Sequence, residues 1–225
     1  MKLYQHVIPA EFAARPNRFI ASVRIDGQPE TVHVKNTGRC RELLIPGTRV
    51  WLAEGVNPAR KTRYDLVAVE KGDLLVNMDS QAPNKAAAEA LPRLFPGITG
   101  LRPEAVFGES RLDFCADLGE KKLYVEVKGC TLEEDGVALF PDAPTERGVK
   151  HLHGLIRAVA EGYGAFLVIV IQMRGIRYFE PNWATHAAFG EAMREAQRAG
   201  VRLLALNCDV APEELSIANP VEIRL

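Results

Sequence analysis

The chain has 225 residues, 47% of them hydrophobic and 25% charged, with a net charge of −1; these are ordinary values for a globular protein and allow one large domain or two small ones. The longest apolar run, residues 165–171, is far too short to span a bilayer, and the first residues lack the apolar core of a secretory signal, so a cytoplasmic protein without membrane association is expected. Four cysteines, Cys40, Cys115, Cys130 and Cys208, are scattered with no C-x-x-C pair, which argues against a zinc site or disulfide framework and predicts free buried thiols. The charge is uneven: residues 1–64 hold 11 Lys+Arg against 5 Asp+Glu, and residues 65–225 hold 17 against 24. A basic first third beside an acidic remainder points to a division of labour, with chance clustering the plain alternative.

Residues 1–80 read as short strands. Alternating residues 18–25 and 30–34 flank Asp26-Gly27, a hairpin signal. Residues 36–44 suggest a helical turn. Further strands are expected over 48–52, 62–69 and 74–78, and about five short strands fit a small OB-like barrel. Residues 84–94 read as a helix with Asn84 as N-cap and Pro92 ending or distorting it. The Ala-rich stretch around 81–90 marks the boundary between domain 1–80 and domain 81–225.

Beyond residue 103 the pattern turns to mixed α/β. Residues 111–117 and 122–128 alternate and are joined by 118–121, with Gly119-Glu120 as a type II′ hairpin loop. That register pairs Leu118 with Lys121 and sets Asp113 opposite Glu126. Leu112, Phe114 and Ala116 then share one face with Leu123, Val125 and Val127, leaving Asp113, Glu126 and Lys128 on the other. A loop over 129–144 leads to a helix capped by Thr145, whose core face carries Val149, Leu152, Ile156 and Val159. A buried central strand at 166–171, a helix over 184–199 stopped by Gly200, a buried strand at 201–206 and a closing strand at 221–225 complete a layered α/β sheet.

Directly opposed carboxylates repel, so the hairpin either tolerates a cost or holds a cation between them. Asp113, followed thirteen residues later by Glu126-Val127-Lys128, has the form D…E-x-K. Two hard oxygen ligands suit Mg²⁺ or Mn²⁺, and the lysine ammonium suits a water or the charge that develops at phosphorus. Any amphipathic hairpin can carry these residues on a solvent face, so the motif alone does not decide. The element order resembles the PD-(D/E)XK nuclease superfamily, although Leu112 stands where that motif has proline. The first helix of that superfamily commonly adds an acid, which here is Glu89.

Longer blocks are more specific. NTGRCRELLIPG at 36–47, RKTRY at 60–64, SRLDF at 110–114, VEVKGCTL at 125–132 and FPDAPTERGVKHL at 140–152 resemble the sugar fermentation stimulation protein (SfsA) family from end to end. The resemblance implies an OB-like N-terminal domain, a nuclease-like C-terminal domain, DNA binding and a link to regulation of sugar, especially maltose, metabolism. It leaves catalysis open. The expectation is therefore a DNA-binding protein with a divalent-metal site suited to phosphodiester hydrolysis. The alternatives are a non-catalytic DNA-binding regulator and an RNA-directed nuclease; oligomeric state is open, a homodimer included.

Arg39, Arg41, Arg60, Lys61 and Arg63 form the candidate phosphate-contacting set, against a plain solvated surface, and Trp51 or Tyr64 a candidate stacking platform, against the barrel core. Arg111 on the hairpin is a further candidate. Glu146 and Arg147 open the helix after the hairpin, where Glu146 favours the helix dipole or, with Arg147, edges the metal site. Lys150 pairs with Glu146 at i,i+4 or meets a phosphate. His151 and His153 face apart, which excludes a metal pair and predicts surface or supporting roles.

Overall fold

The computed structural model describes residues 1–36, 38–55, 57 and 59–225. Thr37, within the 36–47 block, lies outside the described residues.

The first domain is a barrel. β1 (Val7–Ala14), β2 (Ile20–Ile25), β3 (Gln28–Val34), β4 (Arg49–Glu54) and β5 (Tyr64–Lys71) run in the order β3-β2-β1-β4-β5. A short parallel pairing of β3 with β5, His33↔Asp65 and Val34↔Leu66, closes the ring. Asp26 and Gly27 sit at φ +49° and +80°, the left-handed pair that a type I′ hairpin turn requires. Phe12, Val23, Val34, Leu52 and Leu66 fill the interior. β1 has no counterpart in the sequence reading: it contains Pro9, does not alternate cleanly, and is bent by an irregularity between Phe12 and Ala14. Residues 41–43 form a turn rather than helix.

β6 (Leu74–Asn77) pairs with β5 and leads into α1 (Ala82–Leu94). The helix begins before the expected cap: Gln81 is the N-cap residue, with Pro83 in the first turn, where a missing N–H costs nothing. Asn84 is thereby inside the helix and free for another partner. Pro92 falls in the last turn and does not shorten the helix.

The second sheet combines β7 (Ile98–Phe107), β8 (Ser110–Leu118), β9 (Lys121–Cys130), β10 (Leu132–Glu134), β11 (Val137–Phe140), β12 (Gly164–Ile171), β13 (Tyr178–Pro181), β14 (Arg202–Ala211) and β15 (Glu214–Ile223) in the order 10-11-13-15-14-12-9-8-7. β12 lies parallel between β9 and β14, and seven of its eight residues are buried, which explains its uninterrupted apolar run. The expected 129–144 loop is largely the hairpin β10–β11. β7 and β13 have no counterpart in the expected element order.

α1 covers one face, packing Ala86, Ala90 and Leu91 against Phe114, Val125, Val127 and Phe166. α2 (Glu146–Ala160) and α3 (Trp183–Arg198) cover the other. Thr145 caps α2, its Oγ1 accepting from Gly148 N at 3.1 Å, and Gly200 ends α3 at φ +98°. The buried face of α2 is Gly148, His151, Leu152, Leu155 and Ala158; Val149, Ile156 and Val159, the expected core, are only half-buried. Glycine allows this rotation. A Cβ on Gly154 would stand 3.2 Å from Ser110 Oγ, and one on Gly148 3.2 Å from Phe189, so α2 lies close against β8 and α3 and turns His151 inward.

The domains meet through buried polar groups. Gln172 Nε2 donates to Asn77 O at 3.0 Å, Asn77 Oδ1 at 2.9 Å and Asp79 O at 3.1 Å. Fully buried Asp79 accepts from Tyr4 Oη at 2.9 Å and Lys35 Nζ at 2.6 Å. All four cysteines are free and buried, and burial pushes the Cys130 thiol up to about 12.

Candidate metal centre

The hairpin keeps the register of a two-residue loop from Leu118↔Lys121 to Phe114↔Val125, with Gly119 at φ +60° as the first position of a type II′ turn requires. The next step would set Asp113 beside Glu126, and there the ladder stops. Asp113 Oδ2 instead accepts from Val127 N at 2.8 Å. β8 therefore turns away from β9 at Asp113, while β9 stays paired to β12 as far as Cys130. The break also interrupts the expected alternation: Phe114 packs beneath α1, but Leu112 joins the cluster on the α2 face.

Around that parting Asp113, Glu126 and Lys128 come together. Asp113 Oδ1 accepts from Asn84 Nδ2 at 2.8 Å, across from α1. Glu126 is 2% exposed. Its Oε1 accepts from Lys128 Nζ at 2.5 Å and is also hydrogen-bonded by His151 Nδ1 from α2. Arg147 Nε donates to His151 Nε2 at 3.3 Å; with Nε2 accepting, Nδ1 carries the proton toward Glu126. The other oxygen of Glu126, Oε2, is buried without a hydrogen-bond partner.

The two carboxylates are driven apart electrostatically. Burial, then the Glu126 charge, pushes the Asp113 carboxyl above the ordinary aspartate range, against the Val127 and Asn84 hydrogen bonds. Burial also acts upward on Glu126, but the His151 hydrogen bond and the Lys128 ammonium outweigh it and hold this carboxyl below the usual range. The outcome is a fixed carboxylate beside a carboxyl that a nearby cation would favour in its charged form. A buried oxygen lacking a donor, next to a second carboxylate, suits a hard divalent cation; the donor set fits Mg²⁺ or Mn²⁺ with water completing the shell. Among the described residues no cluster of three or more His, Cys, Asp or Glu side chains has metal-binding geometry.

Glu89 does not join the site. It projects from α1 into solvent, 3.5 Å from the N-terminal ammonium, because the α1 face toward Asp113 carries Asn84, Lys85 and Ala88 instead. Those residues, with Arg111, Arg147 and Asp113, line a cavity of about 380 Å³. Arg111 stands 3.5 Å from Glu104 at its rim. Glu146 is exposed, 3.2 Å from His186, and Lys150 pairs with Glu109 at 3.8 Å rather than with Glu146. His153 faces solvent near Glu195.

The barrel cations divide. Arg60 forks onto Asp65, which also accepts from His33 Nδ1 at 2.8 Å, and Arg63 is held by Glu54 at 2.9 Å. Arg39, Arg41 and Lys61 are exposed, with no acidic side-chain partner among the described residues. Arg39 N donates to Asp142 Oδ2 at 3.1 Å, which ties this loop to the second domain. Tyr64 is buried and Trp51 half-buried, so the barrel wall absorbs Tyr64. Asn84 and His151 are the site residues the sequence reading passed over or left general. The one signal pointing to His151 is its place one turn after Gly148, on the close-packed side of α2.

A closed five-stranded barrel joined to a mixed α/β sheet covered by three helices defines an OB-fold protein carrying an α/β second domain. Family models agree: "SfsA N-terminal OB domain" matches residues 14–78 and "Sugar fermentation stimulation protein RE domain" matches 81–214. The chain is 53% identical over 223 residues to a sugar fermentation stimulation protein homolog of Desulfitobacterium hafniense, covering 99% of this chain and 98% of that one. It is 50% identical to the homolog of Ruminiclostridium cellulolyticum, covering 99% of each. The structure of Pyrococcus furiosus SfsA in complex with Ca²⁺ superposes with a TM-score of 0.88 at 30% identity, over 100% of both chains. The chain belongs to the sugar fermentation stimulation protein (SfsA) family.

Proposed function

We infer that this protein binds DNA and hydrolyses phosphodiester bonds at a divalent-metal site formed by Asp113 and Glu126. The observation that carries the reading is Glu126 Oε2, a buried carboxylate oxygen with no donor, next to Asp113. Ca²⁺ in the Pyrococcus furiosus relative supports a divalent ion in this family. Bound here, Mg²⁺ or Mn²⁺ would supply a Lewis acid for the phosphoryl oxygen and a more acidic water. The chain's own residues do the rest. Asn84 and Val127 N aim Asp113, His151 and Lys128 keep Glu126 anionic, and the Lys128 ammonium lies where it can orient a water or meet charge on phosphorus. Arg39, Arg41 and Lys61 supply the exposed positive surface for the backbone.

The competing reading is a DNA-binding regulator of sugar metabolism that retains the scaffold without turnover. Labelled single-stranded, duplex and structured DNA and RNA, incubated with Mg²⁺ or Mn²⁺, separate the two. The nuclease reading expects metal-dependent cleavage of DNA that Asp113→Ala and Glu126→Ala abolish while binding persists. No cleavage of any substrate by the intact protein, or undiminished cleavage by both variants, contradicts it.

A further inference from the structure

Beside Asp113 is the cavity of about 380 Å³ between α1 and the β7–β8 edge. Its volume is that of a small-molecule site, large enough for one nucleotide and too small for a stacked base pair. Three cations surround it. Lys85 has no acidic partner among the described residues. Among the described residues Arg147 is anchored only through its Nε to His151. Arg111 has an exposed ion pair with Glu104 at 3.5 Å, of a kind that contributes little and yields readily to a phosphate. Between the cations the wall is apolar: half-buried Ala88 on α1 and the exposed ring of Pro103 on β7. A phosphate-binding rim around an apolar slot is the chemistry of a nucleotide whose base has left the stack.

We propose that this cavity holds one unpaired nucleotide adjoining the phosphodiester presented to Asp113, so that the protein prefers single-stranded tails to continuous duplex. The base enters between Ala88 and Pro103, and Lys85, Arg111 and Arg147 take the flanking phosphates. The inference rests on Asp113 and Glu126 as the reacting centre, but it is a statement about binding and is tested as one.

The test compares affinities, by fluorescence anisotropy, for a blunt duplex and for the same duplex with a short unpaired tail, using intact protein and the variants Ala88→Trp, which fills the cavity, and Lys85→Ala, a surface change that should not disturb folding. The intact protein should bind the tailed duplex at least about tenfold more tightly, equivalent to about 1.4 kcal/mol. Ala88→Trp should lose most of that preference while blunt-duplex affinity and Mn²⁺ binding stay within about twofold, and Lys85→Ala should weaken the tailed duplex several-fold more than the blunt one. Equal affinity of the intact protein for both DNAs, or variants that keep the preference or lose both affinities together, overturns the proposal. If the preference and its loss are observed but no DNA is cut, the hydrolytic reading fails and the nucleotide subsite stands.

Discussion

At the scale of single residues, the site is a problem in placing two negative charges. Glu126 is 2% exposed, and a carboxylate buried that deeply persists only with donors in place. Lys128 and His151 supply them on Oε1, and Oε2 is left without a donor. His151 is therefore a positioning residue: His151→Ala should weaken Mn²⁺ binding about 10- to 100-fold, the usual effect of removing a ligand's supporting hydrogen bond, as measured by isothermal titration calorimetry. Unchanged affinity would mean that Glu126 is oriented without it. Asn84 plays the matching part for Asp113. Neither contact was legible in the sequence, because Asn84 and His151 lie 29 and 25 positions from the carboxylates they serve. Periodicity reports which face a residue occupies within its own element and says nothing of which element packs against it.

At the scale of elements, what was legible follows from local chemistry. Asp26-Gly27 and Gly119-Glu120 set hairpin registers, residues 166–171 announced a strand buried on both faces, and Thr145 and Gly200 bounded their helices. What escaped was irregular. β1 carries Pro9 and a register break, and β7 carries Gly100, Pro103 and a shift between Thr99 and Arg102, so neither shows a clean two-residue period. The break at Asp113 was hidden for the same reason, since alternation predicts a strand's faces only while its ladder continues. In the barrel, Asp65 at the β3–β5 closure takes the Arg60 fork and His33. Burial raises its carboxyl, but these partners win and hold it below the ordinary aspartate range. A depressed carboxyl stabilises the fold above the unfolded aspartate value of about 3.9 and loses that contribution as pH falls through the folded one. Asp65→Asn should therefore lower the urea midpoint at pH 7, corresponding to about 2 kcal/mol, and lose part of the wild-type decline in stability below about pH 4. An equal decline in both proteins would place the acid sensitivity elsewhere.

At the scale of the whole molecule, the two domains share a core rather than a linker. One continuous apolar cluster runs from Phe12 and Leu66 in the barrel to Leu155 and Phe189 under the helices, and Gln172, Asn77 and Asp79 satisfy one another at the junction. Gly129, immediately after Lys128, has no room for a Cβ: it would meet Gln172 Oε1 at 2.6 Å and Pro83 Cγ at 2.7 Å. The junction thus packs directly behind the candidate metal centre. The protein should unfold in one calorimetric transition. Gln172→Ala, which strands buried acceptors on Asn77 and Asp79, should lower its midpoint by several degrees or split it in two; an unaltered transition would show the junction to be dispensable. The proposed hydrolytic function turns on a cation between the carboxylates, and the most direct measurement is anomalous diffraction from crystals soaked in Mn²⁺. The account predicts a peak bridging Asp113 and Glu126 Oε2 that disappears in Asp113→Ala; crystals with Mn²⁺ bound elsewhere and no peak between these two side chains would contradict it.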